Sequence, residues 1–183
     1  MNGKKRQKTR TVRSAKECAY IAVFVALTIA TQLAFSAVPG VELVTLLFVS
    51  YAFSFGIRRG MAAATAFSLL RQLVFGFYPT VLVLYLVYYN MLASVFGWLG
   101  QKPKGPMKRL VLVVVCACVC TVLFTLLDNV LTPLWYGYSA KAAKAYFYAS
   151  IPFVLPQTAC VGISTALLFL PLERTFRLIK RTL

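Results

Sequence analysis

Histidine is absent from the 183 residues, and only four carboxylates (Glu17, Glu42, Asp128 and Glu173) serve the whole chain. Those two shortages nearly exclude metal-assisted hydrolysis, Ser-His-Asp chemistry and ligation of iron or haem by histidine, so neither a metal nor another cofactor is expected. The sequence contains no nucleotide-binding loop, and any energy source must therefore be a partner. No internal repeat is evident, which disfavours a transporter built from two alternating halves of its own. Charge is scarce too, at 13% of residues against 60% hydrophobic, far from the balance of a soluble domain. The five cysteines (Cys18, Cys116, Cys118, Cys120, Cys160) give no zinc pattern. The spacing of two within the 116–120 triplet does not place three thiols on one helical face, so they read as small apolar filler.

What is present is a set of apolar runs longer than a soluble core needs, the mark of an integral membrane protein. The expected fold is all-α and polytopic, with six transmembrane helices over about 17–38, 41–57, 60–78, 80–99, 109–132 and 149–172. Pro39-Gly40, Gly56 to Gly60, Tyr78-Pro79 and Gly100 to Pro106 punctuate these runs. Residues 1–14 are expected to form a basic cytoplasmic tail, and 15–183 the membrane domain. Ala34-Phe-Ser36 resembles a signal-peptide cleavage site. The first apolar segment is too long for that role, and an uncleaved first helix is expected.

The net charge of +16 would suggest nucleic acid on a globular domain, but the lysines and arginines sit at the ends of the apolar runs. With the amino terminus inside, only Lys141 and Lys144 fall outside and Arg71 within a span; every other Lys and Arg is internal. The positive-inside rule then places both termini in the cytoplasm, with the chain multi-pass in the membrane. Residues 133–148 become the long outer connection, with Ser139 placed to cap a short helix over the Ala-Lys repeats.

Helical rise places several polar residues at similar depth. Gln32 comes about 22 Å up the first helix, Arg71 about 15 Å up the third and Gln157 about 12 Å down the last. Tyr85, Tyr88, Tyr89 and Asn90 fall about 7–15 Å down the fourth helix, and Asp128 and Asn129 lie near the outer end of the fifth. Glu42 stands at the start of the second helix. The inner half of the spans is Ala, Val, Leu, Phe and Cys, so the pattern describes a pocket open outside and sealed within. An isolated Arg71 in hydrocarbon costs several kcal/mol and requires a partner or a cavity. Glu42 is the first candidate counter-ion and Asp128 the second. The candidate ligand set is Gln32, Glu42, Arg71, Tyr85, Tyr89, Asn90, Asp128, Asn129 and Gln157. Phe75, Phe77, Tyr78 and the tyrosines offer flat faces to a ring system. Pro152 and Pro156 kink the start of the last helix near Gln157 in this reading. The charged pair and tyrosines suit a polar, ring-containing metabolite; a plain helix-locking ion pair with no ligand is the alternative.

On the first helix, alanines at 15, 19, 22, 26 and 30 recur at steps of three or four and share one face. Small side chains let another backbone approach closely in lipid. The lane at Ala22, Ala26 and Ala30 docks either a partner subunit or other helices of the same chain.

In these features the chain resembles the substrate-binding subunit (S component) of energy-coupling factor (ECF) transporters, over roughly 15–181. The resemblance rests on six helices in about this length, Ala22-x-x-x-Ala26, Pro39-Gly-Val-Glu-Leu-Val-Thr45, and Ile151-Pro-Phe with Leu170-Pro-Leu and Lys180. It implies a binding subunit, not an enzyme, that captures a vitamin or similar micronutrient outside and releases it inside. The implied partners are an energising transmembrane subunit on Ala22 and Ala26 and two cytoplasmic ATPases, with no nucleic acid. The pocket residues of that family vary with substrate, so no ligand is implied. A non-transport membrane scaffold is the competing reading, and an intramembrane enzyme relying on Asp128 a distant third.

Overall fold

The computed structural model describes residues 15–38, 40–101 and 105–182. The basic tail over 1–14, Pro39 and the run 102–104 lie outside the described residues. The described chain is helical without strands, in six elements: α1 (Ala15–Phe35), α2 (Val44–Phe55), α3 (Ile57–Phe75), α4 (Pro79–Leu99), α5 (Pro106–Trp135) and α6 (Ala140–Thr182).

Four of these, α1, α4, α5 and α6, are long and apolar enough to cross a membrane. The second is apolar but has only 12 residues, about 18 Å of helix against a hydrocarbon core of about 30 Å. This shortens the span expected over 41–57. The reason lies at its two ends. Glu42 Oε1 accepts the Thr45 N–H at 3.0 Å and the Thr45 hydroxyl at 3.3 Å, so the side chain supplies an acceptor at the helix start. Gly56, at φ +88°, then turns the chain straight into α3, a backbone state that a β-carbon disfavours.

Short as it is, α2 is the centre of the bundle and packs on all five other helices. Every one of its residues except Leu47 is buried. Its Phe48 ring meets Phe24, Phe67 and Tyr89 from three neighbouring helices at 4.7–5.2 Å between centroids, close enough for edge-on contact. By contrast, the backbone of α1 lies against α2 and α3 only among the described helices, and single side chains reach further, Phe24 to Phe176 of α6 and Gln32 to Tyr85 of α4.

The last two helices differ most from expectation. In place of a 16-residue outer connection, only 136–139 separate α5 from α6. Ser139 Oγ does accept the Ala142 N–H, at 3.3 Å, but the helix it starts is α6 itself. That helix runs 43 residues through Pro152, Pro156 and Pro171. Alanine and lysine sustain helix through the stretch read as loop, since neither loses much by being helical.

One end of the bundle collects the cations. Arg59 at the start of α3 pairs with Glu17 at the start of α1. Glu173 near the end of α6 takes Arg109 at 3.1 Å from the start of α5 and Arg177 at 2.5 Å. Lys180 Nζ donates to the Ser54 carbonyl at 2.6 Å, tying the end of α6 to the end of α2. Neither Glu17 nor Glu173 was given a role from sequence. Glu173 is 2% exposed, so Glu173→Gln removes a buried carboxylate and leaves the partly buried Arg109 guanidinium without its anion, a change worth about 3 kcal/mol, the low end for broken buried pairs. At about 2–4 °C per kcal/mol, the melting temperature in detergent should fall by roughly 6–12 °C. A fall under about 2 °C would show the trio to be solvated and energetically idle.

Candidate functional site

At the end of the bundle opposite those cations, a cavity of about 390 Å³ lies between α1, the start of α2, α3 and α6. Gln32, Glu42, Arg71 and Gln157 line it, with Phe35 and Phe75. The size falls in the lower part of the ~300–1,000 Å³ typical of small-molecule sites. Four sequence-expected residues, separated by up to 125 positions, thus meet in one place.

Arg71 is fixed in detail. Its Nε donates to Gln32 Oε1 at 3.0 Å, and Gln32 Nε2 in turn donates to the Tyr85 hydroxyl at 3.0 Å. The guanidinium carbon lies 4.6 Å from the Phe75 ring centre and 4.5 Å from that of Tyr85, within cation–π range of both. The Nη1 nitrogen is buried with no hydrogen-bond partner. This geometry corrects one expectation. Among the described residues, Arg71 forms no ion pair with Glu42 or with Asp128; the ion pairs all lie at the opposite end. Glu42 instead serves the start of α2, and its own N–H reaches Cys160 Sγ at 3.4 Å. Arg71 meets Gln32 because α1 and α3 pack side by side.

The remaining candidates do not share that cavity. Asp128 lines a second one of about 340 Å³, with Thr125, Tyr146, Phe153 and Gln157. Gln157 therefore borders both. Asp128 Oδ2 accepts the Tyr146 hydroxyl and Oδ1 the Thr132 hydroxyl, each at 2.7 Å, so it is well supplied with donors. Asn129 donates to Ser150 Oγ at 2.8 Å and holds the α5–α6 hairpin, with its Oδ1 buried and unpartnered. Tyr89 sits in the core, its ring 5.1 Å from that of Phe67 and 5.2 Å from that of Tyr85. One residue on, Asn90 faces another way and joins α4 to Thr65 of α3, at 3.3 Å. Tyr85, Tyr89, Asn90 and Asn129 line neither cavity, although Tyr85 reaches Arg71 and Gln32 at the edge of the first. Depth alone grouped the nine residues, and helix rotation divides them.

Phe124 and the pairing of Tyr146 with Asp128 went unnoticed in the sequence, and so did the lining roles of Thr31, Phe35 and Leu43. A signal for Tyr146 exists. Residues 128 and 146 are equidistant from Gly137, the middle of the short α5–α6 turn, and so face each other once that turn is placed.

An apolar groove of about 370 Å³, lined by Leu27, Leu46, Leu168 and Leu172 among others, runs beside the polar cavity. The two share Thr31, Phe35 and Leu43. On α1, Ile21, Phe24, Val25 and Thr28 turn inward, while Ala19, Ala22, Ala26 and Ala30 are all exposed. The small-residue lane is therefore left exposed by the described residues. No protein-family model, no curated protein and no solved structure matches this chain.

Proposed function

We propose that the chain is the substrate-capturing membrane subunit of an importer of the energy-coupling factor type, taking up a vitamin-like micronutrient. The observation that carries this reading is the polar cavity around Arg71, built at one end of an otherwise apolar bundle. The chain crosses the bilayer six times in this reading, with the short α2 held inside the bundle and reaching only part of the depth, and the cationic end with both termini faces the cytoplasm, as the positive-inside rule requires. The cavity then opens outward. Below it the rings of Phe48, Phe67 and Tyr89 close the bundle, so the compound is held, not conducted. Release inward requires work, which a partner supplies through the open alanine lane on α1. The energising subunit and its ATPases are that partner; the chain itself performs no catalysis and carries no cofactor.

A second reading, a membrane scaffold, has its own support: Glu42 serves a helix start and Gln32 ties Arg71 to Tyr85, both contacts that hold helices. A thermal-shift screen of the detergent-solubilised protein against vitamins, their precursors and nucleobases separates the two. A ligand at a hundred times its Kd adds about 2.7 kcal/mol to the folded state. At about 2–4 °C per kcal/mol, capture predicts a rise of roughly 5–11 °C with one compound class. A flat screen would favour the scaffold.

A further inference from the structure

Arg71 and Glu42 face one cavity without pairing, and the two charges have different local partners. A guanidinium carries five N–H donors in a fixed fork. In Arg71 the Nε is spent on Gln32, the guanidinium carbon lies within cation–π range of the Phe75 and Tyr85 rings, and Nη1 has no hydrogen-bond partner. Aromatic faces and an amide hold the fork in place but do not neutralise it. A half-buried cation so arranged is matched by a planar anion accepting from its free edge, as carboxylates and phosphates do.

An anion alone would be a poor occupant, because Glu42 lines the same space. Its contacts with Thr45 both use the carboxyl as acceptor, so what it has left to offer is further acceptor capacity. An amine fits there and a second carboxylate does not. Gln157, able to donate and accept, adds a neutral contact on the α6 side.

We propose that this cavity takes a small zwitterion, its carboxylate or phosphate on Arg71 and its protonated amine toward Glu42. The inference rests on the capture reading and narrows it from vitamin-like compounds to those carrying both charges. The same chemistry occurs in soluble metabolites and in ethanolamine phospholipid headgroups, whose acyl chains would lie in the neighbouring apolar groove.

The test is calorimetric titration of the detergent-solubilised protein with water-soluble metabolites sorted as zwitterionic, anionic, cationic or neutral at pH 7, with phosphatidylethanolamine micelles as a separate arm. A zwitterion should bind, and acetylating its amine should raise Kd at least tenfold. Arg71→Gln and Glu42→Gln should each raise Kd for the unmodified compound at least tenfold. Should Arg71→Gln fail to fold, Glu42→Gln still decides: in that variant acetylation should cost less than twofold, because the coupled partner is gone. Binding of a neutral or singly charged metabolite in preference to any zwitterion would overturn this inference and leave the capture reading standing. Binding of phosphatidylethanolamine alone would support the charge pairing and overturn capture of a soluble nutrient. No binding in any arm would overturn both.

Discussion

Ala26→Trp on α1 is expected to abolish uptake of the captured compound, lowering its initial rate more than a hundredfold, while Kd for that compound stays within twofold. Ala26 is exposed, on the side of α1 away from the buried Phe24, Val25 and Thr28. The polar cavity touches α1 only from Thr31 onward, more than a turn away, so an indole at 26 leaves the ligand's contacts in place. What it removes is close backbone approach. Inside lipid, helix association has no hydrophobic drive and depends on packing across small residues, so a bulky ring in the lane holds the partner helix off. Ala22→Trp should behave alike. Val115→Trp, at an exposed position on α5 outside the lane, is the control and should leave uptake unchanged. Uptake assayed in cells that also make the energising subunit, alongside ligand titration of the purified variants, gives both quantities. Normal uptake by Ala26→Trp would remove the docking role of the lane and, with it, the strongest argument for an external source of energy.

Much of the fold was legible from where the apolar runs break. Gly56, Tyr78-Pro79 and Gly100 each mark a helix boundary: Gly56 at φ +88° holds a backbone state that a β-carbon disfavours, proline suits the first turn of a helix, and Gly100 lies too close to the Phe53 carbonyl for a side chain. The stretch 133–148 misled because its Pro, Trp, Gly and tyrosines resemble a loop. Only the Gly137 neighbourhood turns, and the Ala-Lys repeat beyond it is helical. The site was half legible. Depth along a helix follows from residue counting, and it brought Gln32, Glu42, Arg71 and Gln157 to one level. Rotation about the helix axis does not follow when a helix is apolar almost all round, as α4 is. Nothing local in Tyr89-Asn90 says that one enters the core and the other turns to Thr65. Likewise the pairing of Arg71 with Gln32 depends on α1 lying against α3, a tertiary fact. The alanine lane had the opposite difficulty. Its face was plain in the sequence, but whether the chain used that face itself required the packing of α1 to be known.

Gly97→Val should have the largest effect on the fold, preventing accumulation of the protein as a monodisperse species in detergent. A β-carbon at Gly97 would stand 2.5 Å from the Ile57 nitrogen and 2.7 Å from its Cα. At Gly100 it would stand 2.1 Å from the Phe53 carbonyl oxygen. Both obstacles are backbone, so no rotamer change relieves them, and the end of α4 would have to withdraw from the α2–α3 turn. That turn is the least adjustable part of the bundle, because a single residue separates two helices and α2 is packed on every side. Overpacking of a core costs about 1–3 kcal/mol when side chains can yield, and should cost more where backbone must move. The contrast is Gly105→Ala at the start of α5, where a β-carbon meets nothing within 4 Å and the melting temperature should stay within about 2 °C, the scale of a surface change. Size-exclusion profiles and melting curves of the two variants read the difference. If Gly97→Val instead melted like the parent, α4 could not be seated against the α2–α3 turn as closely as this. The α4 ring of Tyr85 depends on that seating for its place over Arg71, so the cavity's cationic wall would then have to be built another way.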